Sequence, residues 1–489
     1  MIFRGLASGF VSRVAGLGAL TAAGQLLIIV SLPAYSRFFD PTSYGDYVIF
    51  VGAYTVVSVL AGMRYDSAIV LPRNDRIASA LSGVVMCLAV LVSAGIVAAA
   101  ILSAVFELTP GRWAAIVPLF GYGLAVATVV GALQRVLTAW CVRSGKFLSI
   151  GWSQFVFSLA TVVVQLTFVQ FFAKMPSLIW GYVCALTLQA LCLVPCLASV
   201  EIVAASRGSA LRAMRIAARR YRRFPIYMVG YALASSVRDR LVPVVLGIGA
   251  GAAVVGRFGL AYRVVFAPNS LVYSAISPVF FSIASRGNRA EVGRFAAGLV
   301  EAVFVALVVP YTAFAIEAPA LTDAVLSEKW FGTGPYIRAL AGPALMLAAT
   351  CWLDRAFDSF GRQRAAFALE FGYTLAALAL IGCLSRFMDP VHTTWAFAAM
   401  AIVYYWTYFM TTFVACGFPL EAFRRACRTG ILSLGAALPL GLLTHAMARP
   451  VWRLPLYAAL MACLVGLWMR FLNGSGTLRV LLESKPGRR

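Results

Sequence analysis

Arginines inside long apolar segments are the side chains of this sequence with the clearest chemical potential. Arg238, Asp239 and Arg240 are consecutive in one such segment, and Arg263 lies in the next. A guanidinium stays charged and donates two parallel hydrogen bonds to phosphate oxygens. At a membrane helix centre it costs at least about 2.5–3.5 kcal/mol, so it usually faces a partner or a water-filled cavity. Arg238, Arg240 and Arg263 are therefore predicted to line a cationic, phosphate-binding cavity; the alternative is pairing with Asp239 or placement at the membrane surface.

A second group of charges lies at the end of another apolar segment. Asp354 and Asp358 are one helical turn apart, and Arg355 lies between them. This spacing allows an ion-pair cluster within one helix. The alternative is a proton or sodium site that couples transport to an ion gradient, in which Asp239 is a third candidate.

Residues that hold metals or act as nucleophiles show no comparable grouping. The ten Cys are scattered without a CxxC pair, and the two His, His392 and His445, are far apart in the chain. We therefore expect no metal site, no cofactor and no enzymatic activity.

The third charged feature is a short loop, MRYDSAIVLPRND, at residues 63–75. Its arginines could simply anchor the loop to one side of a membrane. Arg64 and Asp66, flanking Tyr65, could also form a gate that closes by pairing, or a fixed salt bridge.

The elements that position these residues follow from composition. Of the 489 residues, 62% are hydrophobic and 12% are charged, whereas soluble domains carry about 25% charged residues. Apolar runs recur, each long enough to cross a hydrocarbon core of about 30 Å. We predict an all-α polytopic membrane protein with about fourteen spans, at residues 14–36, 45–63, 77–105, 113–139, 148–172, 178–200, 225–248, 254–285, 295–316, 335–358, 367–387, 394–416, 430–447 and 455–472.

The basic residues orient these spans. If the N-terminus is cytoplasmic, the cytoplasmic segments hold 27 of the 41 Lys and Arg, and the outer loops hold 7. Cytoplasmic loops of membrane proteins carry this excess. Both termini are therefore predicted to be cytoplasmic, and most of the net charge of +23 is explained without nucleic acid as a partner.

A basic segment at residues 209–225 separates the first six spans from the rest. At the spacing of an α-helix, Leu211, Met214, Ala218 and Tyr221 share one face, and arginines cover the other. This pattern predicts an interfacial helix on an anionic leaflet. A basic linker that only fixes topology is the alternative.

The motif loop resembles a known family. Residues 64–75 are similar to the segment between helices two and three of Wzx-type polysaccharide flippases, in the polysaccharide transport branch of the MOP superfamily. Residues 24–50 resemble the first helix and hairpin of that family, and residues 239–268 resemble its seventh and eighth helices, with Phe258 in place of the usual Tyr. The matching motif residues are Arg64, Tyr65, Asp66, Ala68, Ile69, Leu71 and Pro72.

An internal echo agrees with this resemblance. Gly45-Asp46-Tyr47 opens the second span, as Gly256-Arg257-Phe258 opens the eighth, and parallel repeats are common in transporters. The resemblance implies two six-helix lobes around a central cavity. The expected organisation is an N-terminal lobe at 1–205, a basic amphipathic cytoplasmic linker at 206–224, a C-terminal lobe at 225–416, and two extra helices with a basic tail at 417–489.

The resemblance also implies a function. The protein would move undecaprenyl-diphosphate-linked oligosaccharide repeat units across the bacterial inner membrane by alternating access, for O-antigen, capsule or exopolysaccharide synthesis. Its partners would be the lipid-linked substrate and membrane lipids, with a polymerase and glycosyltransferases acting alongside. Two alternatives remain: a MATE-like drug or cation antiporter, which the excess of intramembrane arginine disfavours, and a polymerase or ligase that uses the same lipid-linked donor. The sequence does not identify the sugar, and a peptidoglycan precursor stays open as an alternative substrate.

Overall fold

The protein is helical throughout the part of the chain that the structure describes. The computed structural model describes residues 2–72, 74–107, 113–199, 207–222, 224–285, 287–447 and 450–474, and no strand occurs among them. Arg73, the ends of the 206–224 linker and the basic tail beyond residue 474 lie outside the described residues. The predicted all-α class is confirmed.

The chain divides into two compact units, residues 1–256 and residues 257–489. The lobe boundaries expected near residues 205 and 225 stay a prediction. The helices up to the end of the first unit are α1 (Ile2–Val30), α2 (Leu32–Phe38), α3 (Pro41–Gly62), α4 (Tyr65–Ala68), α5 (Asp75–Val105), α6 (Trp113–Arg143), α7 (Phe147–Phe168), α8 (Lys174–Leu193), α9 (Arg207–Arg220) and α10 (Val229–Ala250).

The unit boundary falls within α11 (Ala252–Ala284). The helices of the second unit follow it: α12 (Arg289–Val325), α13 (Gly334–Thr350), α14 (Asp354–Ser359), α15 (Gln363–Leu384), α16 (Pro390–Cys416), α17 (Leu420–Met447) and α18 (Pro450–Gly474).

Each of the fourteen predicted spans coincides with a helix. Eleven described helices are long and apolar enough to cross a membrane, and the bent pair Gly16–Val30 and Leu32–Phe38 makes a twelfth if it is one span. The other two predicted spans correspond to α10, which carries Arg238, Asp239 and Arg240, and to α18, whose apolar part is Pro455–Trp468. The protein is a multi-pass membrane protein.

Local sequence explains where α3 begins and ends. Asp40 precedes the helix, and its carboxylate accepts a hydrogen bond of 2.9 Å from the backbone N–H of Ser43. Pro41 fits the first turn because its missing N–H would have no helical partner there. The helix stops where Met63 turns into the left-handed region, at φ 46°. That stop directly precedes the motif loop.

Small residues bring α3 close to other helices of the first unit. A Cβ atom on Gly45 would lie 1.9 Å from the carbonyl oxygen of Ala252, and one on Gly256 would lie 1.9 Å from that of Pro41. Side chains do not approach backbone so closely, so only glycine fits at either position. The two glycines of the internal echo therefore pack against each other.

The core beside the motif loop includes the linker. Ala68, Ile69, Leu81 and Val85 are fully buried, and Ala217 of α9 is 3% exposed in the same cluster. The linker is thus a helix packed on protein through one face.

Candidate functional site

The motif loop begins with a strained turn. Met63 and Arg64 are consecutive non-glycine residues in the left-handed region, with φ of 46° and 56°. Each such residue costs on the order of 1–3 kcal/mol, and it persists only where surrounding contacts fix it. Strain of this kind is common at functional sites, so this turn is a candidate functional element.

Both carboxylates of the motif loop are held by arginines of α6. The Asp66 carboxylate lies 3.8 Å from Nε of Arg135, and the Asp75 carboxylate lies 2.5 Å from Nη2 of Arg143. Arg143 also donates to the carbonyl oxygen of Pro72. Arg135 and Arg143 are about two helical turns apart, so one helix fastens both ends of the loop.

Arg64 and Tyr65 have different surroundings. Among the described residues, Asp66 is paired with Arg135 and not with Arg64. The Nε atom of Arg64 is buried and has no hydrogen-bond partner there. The Tyr65 hydroxyl donates to the carbonyl oxygen of Ala218 at 3.1 Å, and burial raises the pKa of Tyr65, which keeps this donor protonated. A gate formed by Arg64 and Asp66 remains a proposal, with Arg135 as a third member.

Arg135 is the centre of a polar cluster within the apolar helices. Its Nη2 donates to the carbonyl oxygen of Ser58 at 3.2 Å, and its side chain is 22% exposed. The Tyr54 hydroxyl lies beside the guanidinium, in space left by Gly131, whose Cβ would lie 2.0 Å from that oxygen. Tyr182 packs edge-on against Tyr54, with ring centroids 5.7 Å apart.

Arg240, one of the predicted anion-binding arginines of α10, lies next to this cluster in the fold. α10 packs on α3, and a Cβ on Gly52 would lie 3.3 Å from the carbonyl oxygen of Arg240. Arg240 is exposed in the middle of the helix, and its charge acts on the Tyr182 hydroxyl. The side chains of Arg238 and Asp239 lie outside the described part of the structure.

Arg263 belongs to the other unit. It lies on α11, is half-buried, and interacts with neighbouring groups. Arg240 and Arg263 are thus each placed within an apolar helix of their own unit. Their joint role in one cavity stays a proposal.

The acidic residues at the end of the tenth predicted span form a network with one arginine. Arg355 lies 3.9 Å from the Asp354 carboxylate and 3.5 Å from that of Asp358. It also donates to the Tyr273 hydroxyl at 2.8 Å and to Ser277 at 3.0 Å. This geometry favours the ion-pair alternative for Asp354 and Asp358.

Another arginine within the spans has a backbone role. Pro319 has no N–H to pair with the carbonyl oxygen of Ala315, four residues earlier. The Nε of Arg338 donates to that oxygen at 2.9 Å. Arg338 therefore satisfies the carbonyl that the proline leaves free in α12.

Arg135 is the site residue that sequence reasoning missed. It was recognisable as a charge inside a span, but its partner Asp66 is far away in the sequence. No group of three potential metal ligands occurs among the described residues. The guanidinium and tyrosine groups of the site are of the kinds that bind anions and sugars through hydrogen bonds.

Comparison with solved structures shows the fold. A structure of the lipid II flippase MurJ in an inward closed conformation has a TM-score of 0.68 at 13% identity, covering 93% of this chain and 99% of that chain. A mutant of the Vibrio cholerae MATE transporter VcmN has a TM-score of 0.53 at 15% identity, covering 83% and 97%. A MOP superfamily transporter from Pyrococcus furiosus, described as having a binding pocket of reverse polarity, has a TM-score of 0.52 at 12% identity, covering 83% and 96%. The fold is therefore similar to that of flippases and transporters.

Sequence comparison gives the family. No curated protein matches this chain significantly. Residues 35–335 match the family described as polysaccharide biosynthesis protein. This segment contains the motif loop, Arg135, Arg240 and Arg263. The chain belongs to the polysaccharide biosynthesis protein family.

Proposed function

We propose that this protein is a flippase for undecaprenyl-diphosphate-linked oligosaccharide repeat units. It moves them from the inner to the outer leaflet of a bacterial inner membrane, with both of its termini cytoplasmic, for O-antigen, capsule or exopolysaccharide synthesis. The family supports a role in polysaccharide synthesis, and the fold supports transport of a lipid-linked substrate, as in the lipid II flippase. A polymerase and glycosyltransferases would act before and after it.

The observation that carries this proposal is the exposed Arg240 beside the Arg135 cluster. An exposed arginine in the middle of a membrane helix is stable where water or an anion reaches it. A diphosphate is a suitable anion, because the guanidinium fork binds two of its oxygens at once. The sugar and diphosphate would occupy this polar space while the lipid tail stays in the bilayer.

Arg135 suggests how the anion could be admitted. At 3.8 Å, its contact with Asp66 is longer than a hydrogen bond, so a diphosphate could replace the carboxylate as the partner. Asp66 would then be released from α6, and the strained turn at Met63 and Arg64 could change conformation. Arg64, whose buried Nε has no hydrogen-bond partner among the described residues, would be the next donor on the path of an alternating-access cycle.

The function is tested by deleting the gene and detecting the lipid-linked oligosaccharide on each leaflet. We expect repeat units to accumulate on the inner leaflet and export to stop. If repeat units reach the outer leaflet but stay unpolymerised, the protein acts after translocation, as a polymerase or ligase would.

The cationic-cavity proposal predicts the effect of a double substitution. Arg240→Ala combined with Arg263→Ala should reduce export at least about a hundredfold, because two guanidinium contacts to a charged group, each worth about 1.5–3 kcal/mol, are lost together. The measurement is leaflet-resolved flipping at matched protein levels. Arg338→Ala is the matched control: it removes an arginine from a span without removing one from the cavity. Unchanged flipping in the double variant would contradict the cavity.

The antiporter alternative makes the opposite prediction about charge. A cavity that collects cations should be acidic or neutral, whereas the charged groups that act on Tyr182 beside α10 are the guanidinium groups of Arg240 and Arg135. Export of cationic drugs that depends on Asp354 and Asp358, with no defect in polysaccharide, would favour the antiporter. It would also turn those two carboxylates into the ion-coupling site.

A further inference from the structure

The linker helix α9 has two faces with different neighbours. One face, formed by Met214, Ala217, Ala218 and Tyr221, packs against the core beside the motif loop. Met214 reaches into the space left by Gly83, where a Cβ would lie 2.2 Å from its terminal carbon. Most of the side chains predicted to enter the membrane therefore pack against the protein itself. Leu211 differs from them and is 66% exposed.

The opposite face of α9 is basic and uncovered within the first unit. Arg212, Arg215, Arg219 and Arg220 are all exposed, and Ile216 points out between them with 61% of its surface exposed. At 100° per residue, Arg212, Ile216 and Arg219 lie opposite the packed face. A cluster of four arginines on an amphipathic helix is typical of segments that bind an anionic membrane surface, and the exposed Ile216 adds an apolar contact.

A hydrogen bond connects α9 to the residue that follows the strained turn. The carbonyl oxygen of Ala218 accepts the Tyr65 hydroxyl at 3.1 Å, and Tyr65 follows directly after Met63 and Arg64. An interaction that fixes the position of α9 therefore also stabilises the conformation of the turn. This contact is made by residues 153 positions apart, so it depends on α9 being docked.

We propose that the outer face of α9 binds anionic phospholipid head groups, and that this binding steadies the Met63–Arg64 turn through Tyr65. The occupant is the bilayer surface itself, because four exposed arginines and an exposed isoleucine match its charge and its apolar edge. The site is distinct from the proposed transport cavity. It makes the motif turn responsive to the lipid composition of the membrane, whatever substrate is transported.

The test is hydrogen exchange of the purified full-length protein in nanodiscs. The discs contain phosphatidylcholine alone or with stepwise increasing phosphatidylglycerol, and no transport substrate. We expect the amides of 64–72 and 207–222 to exchange more slowly as phosphatidylglycerol increases, and high salt to reverse the effect. Arg212→Gln with Arg219→Gln should weaken the response roughly 25-fold in apparent lipid affinity, at about fivefold per arginine.

Two further variants make the result decisive. Arg362→Gln with Arg364→Gln removes the same charge from exposed positions on another predicted cytoplasmic segment, and it should leave the response unchanged. Tyr65→Phe should keep the response of 207–222 and abolish that of 64–72. The proposal is overturned if the motif loop ignores phosphatidylglycerol, if both double variants behave alike, or if Tyr65→Phe keeps the loop response. None of these outcomes depends on flipping, so they are separable from failure of the proposed function.

Discussion

Arg135→Gln should destabilise the protein and stop export, and adding Asp66→Asn should restore stability but not export. The single substitution leaves the Asp66 carboxylate, whose side chain is 12% exposed, without its cation. An acceptor left unsatisfied in such surroundings costs about 1–3 kcal/mol, and more when it is charged. Neutralising Asp66 as well removes most of that penalty, because breaking a buried pair is costly chiefly through the charge that remains.

The export measurement separates two roles of Arg135. If the arginine only holds Asp66, the double variant should regain export together with stability. If it also binds the diphosphate, export should stay low in the double variant although the protein is folded. Stability is measured by thermal unfolding of the purified protein, and export by leaflet-resolved detection of the lipid-linked oligosaccharide.

The neighbouring pair provides the control for this experiment. Asp75 and Arg143 belong to the same loop and the same helix, but they lie outside the proposed path. Arg143→Gln should lower stability less than Arg135→Gln, because the Asp75 side chain is 54% exposed and water can solvate it, and Arg143→Gln with Asp75→Asn should keep export. A double variant of this control pair that stays inactive would mean that any change in the loop stops transport, and Arg135 would lose its special role.

The sequence could predict the helices because each one has to cover the same hydrocarbon thickness. All fourteen apolar segments overlap helices of the structure, and eleven or twelve of the described helices are long and apolar enough to cross a membrane. The motif loop was also identifiable, since its charges interrupt apolar sequence and its residues resemble those of a family. Composition and length therefore predict the all-helical architecture and the position of most spans.

The partners within the site could not be predicted in the same way. Proximity in the sequence favours a pair between Asp66 and Arg64, two residues away, yet the partner of Asp66 among the described residues is Arg135. The two left-handed residues turn the chain so that Asp66 faces α6, and no sequence rule for Met or Arg indicates such a conformation. Likewise, the sequence shows Arg338 only as one more charge within a span. Its role becomes apparent in the structure, where it donates to the carbonyl oxygen of Ala315.

The linker shows the same limit on a helix surface. Its periodicity indicates which side chains share a face, but not whether lipid or protein covers that face. Met214 and Tyr221 pack on the motif core, so the arginine face is the one left uncovered within the first unit, and its contact with the membrane is a proposal. Tertiary packing determines which face of the amphipathic helix is covered by protein.

Gly45→Ala should destabilise the protein by at least about 3 kcal/mol, at the upper end of overpacking penalties. The added Cβ would lie 1.9 Å from the carbonyl oxygen of Ala252. Because that atom is backbone, no side-chain rotation can relieve the overlap, and α3 must separate from the start of α11. Gly256→Ala should act equally, since its Cβ would lie 1.9 Å from the carbonyl oxygen of Pro41.

Thermal unfolding of the purified protein measures this effect, and the chain offers a matched control. Gly95 lies within α5, and a Cβ there would meet no atom within 4 Å. Gly95→Ala should be neutral or stabilise the helix by up to about 1 kcal/mol. The two destabilising substitutions face each other, so their combination should cost less than the sum of the two. A Gly45→Ala protein that melts with the wild type would show that α3 and α11 do not meet at these glycines, and the internal echo would then have no role in packing.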